Sequence, residues 1–309
     1  MSLSIPSIDV CRGLNTPESL RQLSAACEEW GIFQLTGHGV SERLRIELFD
    51  TLAAFFALPP TTKRKLSRTA DNFWGYYDRE LTKNHVDAKE IFDVGANAAA
   101  LLEVPWPGTL PAFEAVAKQW ASLVQELARD ILHALCLALG QPADTLDAAF
   151  GQSHTSFLRL NHYPPETLRA RTGEMTDHDL GIHPHTDAGA LTVLAHDGVP
   201  GLQVAHAGAW HTVIAESDSL IINMGDMLQV WSNDRFKAPE HRVLASRGQP
   251  RYSAAYFYNP TYETVCRPLD DDNKLHRYRP VSWREFRDQR AAGDYADVGE
   301  EVQISWYRV

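Results

Sequence analysis

Near residue 155 the spacing of apolar side chains changes from a helical repeat to a strand repeat, which narrows the fold more than any other feature of this 309-residue chain. Upstream, apolar residues recur every three or four positions, as on one face of a helix. Thr16-Pro17-Glu18 reads as a helix start: a hydroxyl cap, a proline in the first turn and an acid near the positive end. Leu20, Leu23, Cys27 and Trp30 follow, and Gly31 ends the run before a strand at Ile32-Phe33-Gln34-Leu35. Ser41 is placed to cap a second helix with Leu44, Leu48, Leu52 and Phe56 on one stripe, closed by Pro59-Pro60. A long helix is predicted from Pro111 to Leu139, with Phe113, Val116, Trp120, Leu123, Leu127, Ile131 and Leu135 on its apolar face. Between them, Phe73–Tyr77 and Ile91–Val94 each fit a short strand, and Ala98–Pro111 reads as a loop.

Downstream, short β-prone runs alternate with Gly, Pro and Asn/Asp turns: Ser156–Tyr163, Ala190–Ala195, Leu202–Ala205, Ser219–Met224, His241–Ala245 and Tyr252–Tyr258. Many short strands at this spacing suit a barrel or jelly roll. The polar stretch Arg169–Asp179 reads as a surface loop or lid, and Trp283–Arg290 as a closing helix. The fold is therefore expected to be mainly β with flanking helices. Residues 1–110 would form a mainly helical segment packed on a core of residues 111–309, the whole one compact unit.

The formal charge of −11 argues against nucleic acid or an anionic membrane as a partner, though a pocket on an acidic protein can still be locally basic. No run approaches the roughly eighteen apolar residues that a membrane-spanning helix needs. The start Met1-Ser-Leu-Ser-Ile-Pro6 lacks the basic and apolar regions of a signal peptide. Cys11, Cys27, Cys136 and Cys266 show no CxxC spacing, which favours reduced thiols and a cytoplasmic setting. A small-molecule substrate is the expected partner.

Chemistry concentrates in an ordered set: His185-Thr-Asp187, a β-rich interval, His241, then Arg251-Tyr-Ser253. Two imidazoles and one carboxylate can hold iron(II) on one face and leave positions open for oxygen chemistry. Alternate residues on a strand share a face, so His185 and Asp187 can reach one ion. His241 follows Asp187 by 54 residues, enough for several strands to return it. Taken singly these residues have plainer roles: local hydrogen bonding for the histidines, an Asx turn into Ala188-Gly189 for Asp187, a salt bridge for Arg251. Zinc would also accept the trio. Arg251 and Ser253 tip the balance, because a planar guanidinium with a hydroxyl on the same strand face suits the far carboxylate of a 2-oxo acid. Asn161 and Tyr163 form another alternating pair able to assist.

With these residues in view, the chain resembles the iron(II)- and 2-oxoglutarate-dependent dioxygenases of the isopenicillin N synthase-like type. The resemblance spans nearly the whole chain: Ile5-Pro-Ser-Ile-Asp9, Gly31-Ile-Phe33, Gly37-His-Gly-Val40, Phe55-Phe56, Leu58-Pro59 and Lys63 at the front, Leu160-Asn-His-Tyr-Pro-Pro165 in the middle, then Pro184-His-Thr-Asp187, Gly201-Leu-Gln-Val204, Asn223-Met-Gly-Asp226, His241-Arg-Val243, Arg251-Tyr-Ser253 and Asn259-Pro260. It implies a double-stranded β-helix (jelly-roll or cupin-like) core, iron on His185, Asp187 and His241, and 2-oxoglutarate on Arg251 and Ser253 with Asn161 and Tyr163 assisting. It implies 2-oxoglutarate and O2 as co-substrates, ascorbate as a reductant, and hydroxylation, desaturation or cyclisation of a small organic substrate. Phe257 matches a position that often carries an aromatic against that substrate, and Tyr76 and Phe92 are further candidates to line its cavity. The sequence departs from the pattern at His183, which would either stand behind the metal or cover the pocket mouth, and at His162, expected to pack on the opposite face from Asn161 and Tyr163. Two other readings stand beside it: an iron oxidase that does not use 2-oxoglutarate, like isopenicillin N synthase or aminocyclopropane-carboxylate oxidase, and a non-catalytic barrel that binds a metal or small molecule.

Overall fold

The computed structural model describes residues 4–95, 102–165, 180–246, 248–269, 275–294 and 296–309. Two sheets face each other. The large one has eight strands: β1 (Ser7–Asp9), β2 (Ile32–Thr36), β3 (Gly75–Tyr77), β4 (Glu90–Gly95), β5 (Phe157–Tyr163), β7 (Leu191–His196), β10 (Leu220–Met224) and β12 (Arg251–Tyr258). Their order across the sheet is β1-β2-β10-β7-β12-β5-β4-β3. The small sheet runs β9-β8-β11-β6, built from β6 (Leu180–His185), β8 (Leu202–His206), β9 (Ala209–Thr212) and β11 (His241–Leu244). Two opposed sheets that share one run of chain form the expected double-stranded β-helix.

The helices cover the outer face of the large sheet. They are α1 (Pro17–Glu29), α2 (Glu42–Phe56) and α3 (Pro111–Ala138); α4 (Asp226–Trp231) and α5 (Trp283–Gly293) lie nearer the site. Thr16 caps α1 by accepting from the Ser19 amide at 3.1 Å, whereas Ser41 makes no side-chain cap bond to α2. The buried stripe of α3 runs through Phe113, Ala117, Trp120, Val124, Ala128, Ile131 and Leu135, so it passes beside Leu123 and Leu127. It packs on the outward residues of β12, where the Tyr256 hydroxyl donates to Gln125 Oε1 at 3.0 Å.

The expected strands match the structure to within a residue or two at most ends, whereas β1, β6 and β9 lie outside the expectation. β9 follows β8 through Ala207-Gly208, both with positive φ, +49° and +78°. That is the geometry of a tight hairpin turn usually marked by Asn-Gly, and Ala207 conceals it. The predicted lid Arg169–Asp179 lies outside the described residues, as does part of the Ala98–Pro111 loop.

Candidate active site

Register decides what faces the space between the sheets. β12 pairs antiparallel with β5 so that Arg251 lies opposite Tyr163, Ser253 opposite Asn161, Ala255 opposite Arg159 and Phe257 opposite Phe157. Directly opposed residues share a face. Four successive rungs therefore point into one cavity of about 160 Å³, which all eight residues line. At about 10–15 Å³ per water position, that volume holds small molecules.

The small sheet supplies the other wall. His241 pairs directly with His185 across β11 and β6, and their rings lie 4.3 Å apart. β6 ends at His185, so Asp187 is not its strand neighbour; a turn, not strand alternation, brings the carboxylate round. That turn is pinned to the start of α4: the Asp226 amide donates to the Asp187 carbonyl at 2.7 Å, and the Met227 amide to that of Gly189 at 3.0 Å. Gly225 permits the close approach, because a Cβ there would collide with the Gly189 carbonyl. Arg290 of α5 clamps the same turn, donating to the Thr186 carbonyl at 3.0 Å and to Asp226 Oδ2 at 2.9 Å.

The three side chains converge. Their potential ligand atoms lie within 4.8 Å of one another, with Asp187 Oδ1 at 3.7 Å from His185 Nε2 and 3.6 Å from His241 Nε2. Each imidazole is oriented from behind, His185 Nδ1 by the His183 carbonyl at 2.8 Å and His241 Nδ1 by the Pro239 carbonyl at 3.1 Å. Such bonds leave Nε2 as the lone-pair donor toward the centre. Burial and the neighbouring His241 push the His185 pKa down to about 3, so the ring stays neutral, as a metal ligand must be. Burial works against the Asp187 charge, yet the two imidazoles and two hydrogen bonds hold its carboxyl below the ordinary range. Those bonds come from Thr192 Oγ1 and from Asn223 Nδ2 at 2.8 Å, both to Oδ2, which leaves Oδ1 for the centre.

About 2 % exposed, Arg251 donates Nε to the Val199 carbonyl at 3.1 Å and keeps Nη1 buried with no partner among the described residues. A buried, unpaired guanidinium N–H is costly, and a carboxylate in the cavity would satisfy it. Asn161 Oδ1 is likewise buried and unpartnered, while Nδ2 makes only a 3.3 Å contact to Ser253 Oγ and a 3.5 Å contact to the Arg159 carbonyl. A half-turn of that amide would aim its N–H2 inward. Tyr163 packs its ring 4.7 Å from the Arg251 guanidinium. The residues present thus fit a divalent metal and an anionic 2-oxo acid.

Two candidates fall elsewhere. Phe92 pairs with Leu160 and Tyr76 with Phe92, which puts both on the helix side of the sheet, away from Asn161. Phe92 packs in a cluster with Phe55, Phe113 and Trp106, and Tyr76 donates to Glu90 Oε1 at 3.0 Å. Neither lines the cavity; Phe257 does, stacked on Phe157 at 4.8 Å. His162 turns outward as expected, stacked on Tyr252 at 4.9 Å. His183 faces Asp87, with Nδ1 at 3.0 Å from Oδ1. Sequence reasoning gave no role to Thr192, Asn223, Asp226 or Arg290. For Asn223 and Asp226 the Asn-Met-Gly-Asp run was the available signal; Thr192 and Arg290 carried none.

Comparison with known proteins agrees with this geometry. Residues 154–260 match the model of the 2OG-Fe(II) oxygenase superfamily, and residues 5–109 match that of the non-haem dioxygenase in morphine synthesis N-terminal region. Jasmonate-induced oxygenase 4 of Arabidopsis thaliana is 31% identical over 294 residues, covering 92% of this chain and 81% of that one. Gibberellin 2-beta-dioxygenase 5 of Oryza sativa subsp. japonica is 31% identical over 314 residues, covering 98% and 87%. The crystal structure of JOX2 in complex with 2OG, Fe and JA superimposes with a TM-score of 0.86 at 28% identity, covering 100% of this chain and 90% of that one. The chain belongs to the 2OG-Fe(II) oxygenase superfamily. It is an Fe(II)- and 2-oxoglutarate-dependent dioxygenase, an oxidoreductase that acts on a small organic molecule. Among the described residues, no helix is long and apolar enough to cross a membrane.

Proposed function

We propose that iron(II) is held by Nε2 of His185, Nε2 of His241 and Oδ1 of Asp187, and that 2-oxoglutarate lies along the first two rungs, with its distal carboxylate on Arg251 and Ser253 and with Asn161 and Tyr163 beside it. The observation that carries this reading is the partnerless, buried Arg251 Nη1 in the same cavity as three converging ligand atoms. When bound, the metal and the 2-oxo acid supply an oxidant from O2, with succinate and carbon dioxide as by-products. The protein's part is placement. Thr192 and Asn223 fix which Asp187 oxygen faces the centre, and the His183 and Pro239 carbonyls fix the imidazoles. The opposed sheets shield the centre from bulk water, which protects a reactive site. Phe257 and Phe157 form the wall on which the substrate rests.

The order of the motifs supports placement with the isopenicillin N synthase-like members, and four free thiols fit a cytoplasmic setting. We further propose that residues 1–110 and 111–309 work as one unit, because β1 to β4 join the same sheet as β5, β7, β10 and β12. The test is oxygen-dependent release of carbon dioxide from carboxyl-labelled 2-oxoglutarate, with metal affinity measured in parallel. His185→Ala and Asp187→Ala are each expected to lower both by more than about a hundredfold, since a ligand is lost outright. Wild-type metal affinity in either variant overturns the ligand assignment.

A further inference from the structure

The cavity beyond the metal is heavily charged, and its ion pairs can be traced residue by residue. Glu80 takes Lys89 at 2.6 Å and Arg159 at 2.7 Å. Lys89 also meets Asp87 at 3.2 Å. Arg159 forms a two-pronged pair with Asp93 at 2.8 Å for each bond. Arg290 is held by Asp226 at 2.9 Å, with Glu301 at 3.7 Å, and Glu301 Oε1 accepts the Lys83 amide at 2.6 Å. Two charged groups remain. Arg287 of α5 lines the cavity with its guanidinium 5.8 Å from the centre of the Phe157 ring. Asp294, the C-cap of α5, lines it too. Among the described residues neither side chain makes a direct hydrogen bond or a close ion pair, although Asp294 lies in the attractive field of Arg159, Arg287 and Arg68.

Each simple ligand type leaves one of them unsatisfied. A neutral molecule answers neither. A monocarboxylate answers Arg287 but brings a further negative charge to the side of the cavity that already holds Asp294 and Glu80. A simple amine answers Asp294 but leaves the Arg287 guanidinium without a carboxylate, in a cavity that Arg159 and Arg290 also line. We propose that the substrate is a zwitterion of the free amino-acid type, its carboxylate on Arg287 and its ammonium on Asp294, with the remainder lying across Phe157 and Phe257 toward His185, Asp187 and His241. The assignment rests on the iron and 2-oxoglutarate reading of the site.

Three further observations favour it. Asp294 sits at the negative end of an 11-residue helix, where the helix dipole adds to the attraction for a cation. Burial, reinforced by the Glu80 charge, pushes its carboxyl up to about 7, so an arriving ammonium can draw it into the ionised form. A planar guanidinium beside an aromatic ring is suited to a carboxylate held by two hydrogen bonds.

The experiment uses the full chain loaded with zinc and 2-oxoglutarate without oxygen, followed calorimetrically. Affinity for 2-oxoglutarate is measured first, so that a failure there counts against the iron and 2-oxoglutarate reading rather than this one. The probes are the twenty protein amino acids, L-homoarginine and L-ornithine, each with its des-amino acid and its decarboxylated amine, together with thymine as a neutral ring. At least one amino acid is expected to bind at least tenfold more tightly than either of its truncated forms. Asp294→Asn should lower that affinity at least tenfold while sparing the des-amino acid, and Arg287→Gln should lower both. In both variants 2-oxoglutarate should bind as in the wild type. If 2-oxoglutarate binds but no amino acid does, or if a des-amino acid, an amine or thymine binds as well as the zwitterion, the proposal is overturned.

Discussion

At the Arg251 end of the cavity a single guanidinium waits without an anion. At the α5 end, Lys89, Arg159, Arg287 and Arg290 crowd together with Glu80, Asp294 and Glu301. The first region is simple: its polar side chains bond a backbone carbonyl or one another, and Arg251 Nη1 and Asn161 Oδ1 have no partner among the described residues. The second is a network in which Glu80, Lys89, Arg159 and Arg290 are held by ion pairs while Arg287 and Asp294 have no close partner among the described residues. Glu80 shows the balance, since burial opposes its ionisation yet Arg159, Lys89 and Arg68 bring its pKa down to about 2. The contrast teaches that a site for one invariant co-substrate can be read from a few residues. A site for a variable substrate depends on the sum of many paired charges.

The comparison can be broken at several points. The largest effect on ligand binding is expected at the simple end. Arg251→Ala should weaken 2-oxoglutarate by about 2–5 kcal/mol, the usual loss for one partner of a buried charged pair, with metal affinity unchanged in a direct titration. Phe92→Ala tests the region assigned to packing. Truncating a buried Phe should cost about 3–5 kcal/mol of stability by denaturant unfolding, while 2-oxoglutarate affinity in the folded fraction stays the same. A weakened affinity would return Phe92 to the site. Asn223→Ala removes one of two donors to Asp187 Oδ2. A loss of about tenfold to a hundredfold in metal affinity is expected for such a supporting residue, and an unchanged titration would leave Thr192 as the sole orienting group.

The smallest effect concerns Asp294. Its carboxyl titrates near 7 in the folded chain against an ordinary value of 3.8. Between those values the folded state keeps a proton that the unfolded state has released. This group's contribution to stability is therefore full below the lower value and is lost as pH rises through the upper one. Asp294→Asn should flatten that part of the profile, by on the order of 1 kcal/mol after solvent screening, as read from melting temperatures between about pH 4 and 7. A profile that keeps its wild-type slope would show that Asp294 is not the titrating group.

Strand parity made much of the site legible. Arg251, Ser253 and Phe257 alternate along one strand, Asn161 and Tyr163 along another, and all five reach the cavity. The same logic misplaced Tyr76 and Phe92, because alternation tells which residues share a face but not which face looks inward. That depends on register with a partner strand, here Phe92 against Leu160 rather than Asn161. Asp187 reached the centre through a turn whose path depends on Gly225 and Arg290, contacts of long sequence separation that no local pattern encodes. The network around Glu80 escaped notice for the same reason: Arg68, Lys89 and Arg159 come from separate parts of the chain.

The β12–β5 ladder has one more consequence. Same-face neighbours along a strand stand about 6.8 Å apart, so the first and fourth rungs are separated by a fixed span of roughly 20 Å. The pair acts as a ruler laid beside the metal. On the proposed reading, the two rungs at the Arg251 end grip the co-substrate and the two at the Phe257 end meet the substrate, as distinct graduations on it. If that reading holds, exchanges at Arg159, Phe157 or Phe257 redirect which molecule is oxidised without resetting the end where Arg251 and Tyr163 sit.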